Sequence, residues 1–138
     1  MNNLVKQTWL QLGPWLHLYR CDIGFYMERW ILATPWGLLR LHHILESDSD
    51  RDFHDHPFDF TSLILSSGYT EHRPGQEPKR WRMGQVVRRK AEDLHRLELE
   101  SGRPAWTVVL AGPIRRQWGF MTDFGWVHWR QYTSQKVA

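Results

Sequence analysis

Turn-forming residues punctuate this chain at intervals of about 8–12 positions, and the stretches between them are rich in the aromatic and β-branched residues that strands favour. Ten Gly and seven Pro supply the punctuation, and nine Trp supply much of the bulk, in 138 residues. That length suits one domain with a proper core and falls short of two. Candidate strands run over residues 28–33, 37–45, 53–67, 80–83, 86–89, 94–100, 106–111, 116–121 and 126–132. Thr34-Pro35, an acidic turn over 46–50, Gly68, a loop over 73–79, and Gly102 with Pro104 separate them. No internal repeat, low-complexity tract or linker intervenes, and no mid-chain segment reads as a helix. The rhythm predicts one all-β domain over 1–138, a sandwich or barrel over 28–138 with an arm over 1–27. The arm is expected to be short and either helical or extended. Val5, Trp9 and Leu12 sit at helical spacing, and Gly13-Pro14 stops the segment.

Charge narrows the function classes. Eighteen Lys and Arg against 15 Asp and Glu leave a net charge of only +3, which argues against nucleic acid as a partner, although Arg115 to Phe120 does mix cations with rings. Fourteen of the cations are Arg, the residue suited to planar recognition of carboxylates. One cysteine, Cys21, permits no internal disulfide and points to a reducing compartment. The apolar runs are too short for a membrane span or a secretory signal, so the expected location is the cytoplasm.

Eight histidines carry the chemistry. His54 and His56 flank Asp55, and residues two apart on a strand project to the same side. Pro57 follows directly and cannot donate to a ladder, so pairing should loosen there. Two such imidazoles can meet one metal ion at about 2.0–2.1 Å each. His95 shares a strand face with Leu97 and Leu99, opposite Arg96, Glu98 and Glu100, so it should point into the barrel. A buried imidazole needs a partner there, and a metal ion would be one. The alternatives are polar surface residues for His54 and His56, and a carbonyl-bonded histidine at the core edge for His95.

These spacings resemble the two motifs of the cupin superfamily, Gly-x5-His-x-His-x3–4-Glu-x6-Gly and Gly-x5-Pro-x-Gly-x2-His-x3-Asn. His54 and His56 are followed by four residues, Thr61, six more and Gly68. Gly84 is followed by five residues, Lys90, Ala91, Glu92, two more and His95. Fifteen residues separate Gly68 from Gly84, a suitable inter-motif loop. Thr61 stands at the motif Glu, Lys90 and Glu92 at the Pro and Gly, Leu99 at the Asn, and Asp48 at the first Gly. What remains looks like the three-His variant of some non-haem iron cupins, thiol dioxygenases among them. The resemblance implies a double-stranded β-helix, or jelly roll, with His54, His56 and His95 as metal ligands. It favours iron(II), with zinc, nickel or manganese as alternatives.

Asp59, Thr61, Glu71 and His43 are candidates for a further ligand or, with Asp52, for acceptors of the ligands' other N–H. His43 shares a face with Leu39 and Leu41, which would line the same cavity or make it a satisfied core histidine. Arg40, Arg116 or Arg130 could clamp a substrate carboxylate. Trp118 and His128 are candidate pocket walls. The reading is a metal-dependent enzyme of dioxygenase type acting on a small polar or carboxylate-bearing molecule, as a homodimer. The alternatives are a non-catalytic cupin that senses or stores a small ligand and, last, a nucleic-acid binder.

Overall fold

The computed structural model describes residues 6–48 and 52–135. Along the chain lie β1 (Lys6–Leu12), β2 (Leu16–Cys21), β3 (Met27–Thr34), β4 (Gly37–Ile44), β5 (Phe53–His54), β6 (Phe60–Ser66) and β7 (Gly68–His72). There follow β8 (Lys79–Arg82), β9 (Val86–Arg89), β10 (Arg96–Leu99), β11 (Ala105–Ala111), β12 (Gly119–Thr122), β13 (Gly125–His128) and the helix α1 (Trp129–Gln135). Seven strands form one antiparallel sheet in the order β1-β2-β3-β4-β11-β6-β9. The others form two three-stranded sheets, β10-β7-β8 and β13-β12-β5. A reciprocal bridge joins these end to end: the N–H of His54 donates to the carbonyl of His95 at 2.9 Å, and that of His95 to His54 at 3.0 Å. The joined sheets make the second layer of a double-stranded β-helix.

Alternation along the strands builds the core between the layers. On β11, Ala105, Thr107, Val109 and Ala111 are buried, while Leu110 is exposed. Ile44, Ile64 and Val87 from the large sheet meet Tyr69, Trp81, Leu97 and Leu99 from the small one in a single apolar cluster. Burying each such aliphatic side chain stabilises the fold by about 1.5–3 kcal/mol.

Three expectations are corrected. The N-terminal arm takes the extended of its two expected forms, but as a strand hairpin that widens the large sheet, with β1 paired to β2; residues 2–5 of the arm lie outside the described residues. Its helix-like spacing arises from a bulge between Thr8 and Leu10, which brings Trp9 to the same outer face as Leu10 and Leu12 and to 6.4 Å from Trp30. At the other end, strand gives way to α1 after His128. Trp129 and Tyr132, three apart, stack on Trp118 (5.6 Å) and Phe120 (3.8 Å), so helical spacing decides the segment. Finally, Gly68 is a corner, not a terminus. With φ of +109°, it opens β7 as the chain passes from the large sheet to the small one.

Gly68 also has no room for a side chain, because a Cβ there would run into the carbonyl oxygen of Trp81. Gly68→Ala is therefore expected to cost about 2 kcal/mol or more, from backbone strain and steric overlap together. Urea denaturation of the variant against wild type measures it.

Candidate metal centre

The site grows out of the bridge between the small sheets. Opposed residues of a hydrogen-bonded antiparallel pair project to one side, so the His54 and His95 rings lie 4.9 Å apart. His56, two residues on, faces the same way, with its ring 5.1 Å from that of His54 and 5.0 Å from that of His95. Its backbone N–H donates to the carbonyl of Ala91 at 2.9 Å, tying it to the segment that leads to His95. One nitrogen from each ring lies within 4.8 Å of the other two, and these three form the one such group among the described residues.

The donor chemistry fits a divalent ion. His95 donates from Nδ1 to Glu71 Oε1 at 2.7 Å, which leaves its Nε2 lone pair facing His56 Nε2 at 2.8 Å. Two nitrogens each about 2.1 Å from one ion at a right angle lie about 3 Å apart, so this approach is that of neighbouring ligands. Burial, reinforced by His95 and His54, holds His56 well below the usual imidazole range, and a metal ligand must be neutral. The shell around the rings is aromatic: Phe60 packs at 4.8 Å from His56, Phe120 at 5.8 Å from His54 and Trp118 at 6.5 Å from His54. The three histidines can hold a metal ion, with aromatic rings packed around them.

Three buried carboxylates hold the frame. Glu71, on β7, accepts from His95, from Trp81 Nε1 at 2.9 Å and from Arg89 Nε at 2.9 Å. Burial works against its ionisation, but the bonds from His95 and Arg89 outweigh it and hold the carboxyl at about 2. Asp55 points away from the histidines as alternation requires, yet it is buried. Gly119 N–H (2.7 Å), Arg116 Nη1 (2.5 Å) and Trp126 Nε1 (2.9 Å) all donate to it. It thereby locks β5 onto β12. Asp48 accepts from the Leu97 N–H at 3.0 Å and lies 3.9 Å from His54 Nδ1. Sequence reasoning found Glu71 but missed the other two, since a buried aspartate in a charged stretch has no signature in one strand; its partners come from elsewhere.

Other candidate residues separate from the centre. Thr61 projects from the opposite face of β6 to Ser62 and Ile64, which are buried, so it is no ligand; the shorter spacing of the first motif leads instead to Phe60, whose ring faces the histidines. Asp59 is held by Arg115, the Ala91 N–H and Lys90, with Arg115 drawing its carboxyl down to about 2. His43 bonds Glu28 at 2.8 Å and stacks on Trp106 on the outer face of the large sheet. Asp52 bonds Tyr132 Oη through its backbone N–H. Arg116 is committed to Asp55, and Arg130 is exposed on α1 over Trp129. His128 bonds Gln117 at 3.0 Å, paired with Gly119 on the face of β13 away from Phe120. Arg40 and Trp118 remain near the centre.

Because Glu71 sets the direction of the His95 ring, Glu71→Gln is expected to weaken metal binding about 10–100-fold while the fold persists. Competition against a chromogenic chelator, with circular dichroism as the fold control, measures both.

No protein-family model matches the sequence, and no curated protein is significantly similar to it. Solved structures are similar in fold. A cupin-2 domain, Rru_A2000 from Rhodospirillum rubrum, matches over 100% of this chain and 84% of its own, with a TM-score of 0.59 and 9% identity. A Klebsiella pneumoniae protein with a double-stranded β-helix domain matches over 70% and 85%, with a TM-score of 0.54 and 16% identity. A chain of the Rhodobacter sphaeroides complex of SigE with the anti-sigma ChrR matches over 67% and 47%, at 0.53 and 18%. Two layers closed on each other, three convergent histidines and these likenesses lead to one conclusion: the chain folds as a cupin.

Proposed function

We propose that this protein is a metal-dependent cupin enzyme, of non-haem oxygenase type, acting on a small polar or carboxylate-bearing molecule. The observation that carries the reading is the convergence of three imidazoles from two segments far apart in the chain, with no carboxylate among them. His54, His56 and His95 would hold the ion, with iron(II) the best match and zinc, nickel or manganese the alternatives. Bound there, it would supply open positions for a substrate and dioxygen, or act as a Lewis acid. The chain's own residues prepare the site. Glu71 keeps the His95 Nδ1 proton away from the ion, Asp55 holds the segment of His54 and His56 against β12, and Asp48 holds β10 next to His95. Phe60 stands where a fourth ligand would come and leaves that side apolar. The free thiol of Cys21 fits a reducing cytoplasm.

Metal analysis of wild type against His95→Ala tests the site: near-stoichiometric metal is expected in the first and little in the second. Equal metal in both ends the proposal. An ion that spans the seam between the small sheets also stabilises the fold, by about 2.7 kcal/mol at a hundredfold excess over its Kd, so chelation should lower Tm. Dioxygen uptake by iron(II)-loaded protein across thiols and small acids supports the oxygenase; stoichiometric metal and ligand binding without turnover assigns the non-catalytic sensor or store.

The same reading includes a two-fold homodimer through the outer face of the large sheet. Trp9, Leu10, Leu12, Leu39, Leu63, Leu65, Val86 and Leu110 remain 39–58% exposed there. With the half-covered Trp30 and Trp106 they present on the order of 800 Å² of apolar surface, what one partner buries in a standard interface. Sedimentation equilibrium should give twice the chain mass, and Leu110→Lys should give monomer.

A further inference from the structure

β4 turns two basic side chains into the barrel. Its register with β11 sets Arg40 beside Val109 and His42 beside Thr107, both buried partners, and Ile44 completes the same face. The Arg40 Nε and His42 Nε2 atoms are buried without a hydrogen-bond partner, and no carboxylate pairs with Arg40 among the described residues. Arg29, the neighbour of His42 on β3, adds a second guanidinium and spends its Nε on the Cys21 carbonyl at 2.9 Å. Burial, then Arg29, lowers Arg40 to about 10 and keeps His42 well below its usual range.

The position of this pair relative to the histidines gives it meaning. The Arg40 guanidinium lies 4.4 Å over the Phe58 ring, and that ring is 6.2 Å from the ring of His56. Phe58 therefore lies between the two groups, with the guanidinium over its ring. A largely buried cation with no counter-charge among the described residues is disfavoured in a finished core, where polar groups find partners. A histidine kept for packing would have found a carbonyl; the exposed alternative is closed because these atoms see no solvent.

We propose that Arg40 and His42 form a subsite for a carboxylate, which holds the acid end of a small molecule whose other end reaches the three-histidine centre. This rests on the reading that the centre binds a metal ion. The guanidinium offers two parallel N–H donors to the two carboxylate oxygens, and neutral His42 adds a donor through Nε2–H. The planar fork of Arg40 matches the two oxygens of a carboxylate.

Glycolate is the probe, with its neutral amide and inorganic phosphate as controls, titrated calorimetrically into zinc-loaded and metal-free protein. Wild type is expected to bind glycolate at least tenfold more tightly than either control. Arg40→Met should lose at least tenfold in glycolate affinity at unchanged metal content. Its Tm without acid should equal or exceed that of wild type, since hydrocarbon replaces an uncompensated buried charge. Arg40→Lys, which keeps the charge and loses the fork, should also bind several-fold more weakly, and serves if the Met variant fails to fold. Wild type that ignores glycolate or prefers phosphate, or variants that bind it as wild type does, overturns the subsite. Metal content read on the same samples keeps the two readings apart: wild type without metal overturns the metal centre, whereas Arg40-independent binding with metal in place overturns the subsite alone.

Discussion

Two backbone hydrogen bonds between His54 and His95 hold together what would otherwise be two separate three-stranded sheets. There the regular ladder of the second layer narrows to one reciprocal bridge, supplemented by Asp48 N–H to the Leu97 carbonyl at 2.7 Å and His56 N–H to the Ala91 carbonyl at 2.9 Å. The bridged pair dictates that both imidazoles leave the sheet on one side, side by side, and the period of two adds His56. The candidate metal centre thus occupies the thinnest part of the layer. A cation placed there would cross-link the halves with bonds stronger than the ladder it interrupts.

A seam this thin needs support from outside, and three aspartate or glutamate side chains provide it in different ways. Glu71 reaches from β7 to the Nδ1 of His95 and is itself gripped by Trp81 and Arg89. Asp55 collects donors from β12, β13 and Arg116, so β5 cannot slide. Asp48, where the cupin motif has Gly, bonds the backbone of β10 at Leu97. Each of these buried carboxyl groups accepts from donors on other elements, so each fixes the relative position of the segments it joins.

β4 illustrates how a strand can be read correctly and still be turned the wrong way. Its two faces, one with Leu39, Leu41 and His43 and the other with Arg40, His42 and Ile44, follow from alternation alone. Ordinary patterning would send the leucines inward. The register with β11 does the opposite, because Thr107 and Val109 pack inside opposite His42 and Arg40. Polar residues therefore line the interior beside the histidines, and apolar ones cover the outside of the sheet. That inversion is what the proposed interior subsite and the proposed dimer face rest on.

By itself the sequence determined the all-β class, most of the strands and the three histidines, because turn residues, period-two alternation and motif spacing are local properties of the chain. It also named Glu71 among several candidate neighbours of the histidines, and Arg40 as one of three candidate interior arginines. What only the tertiary structure decided was everything that depends on a partner distant in the chain. The burial of Asp55 needs Gly119 and Trp126, the outward turn of Thr61 and His43 needs the register of β6 and β4, and the unpartnered state of Arg40 and His42 needs every neighbour in place. The N-terminal hairpin and α1 fall in the same class: a bulge disguised the first as helical, and the rings of Trp118 and Phe120 pulled the second out of strand. Side-chain direction relative to a core is set by pairing across sheets, and pairing is not written in any one strand.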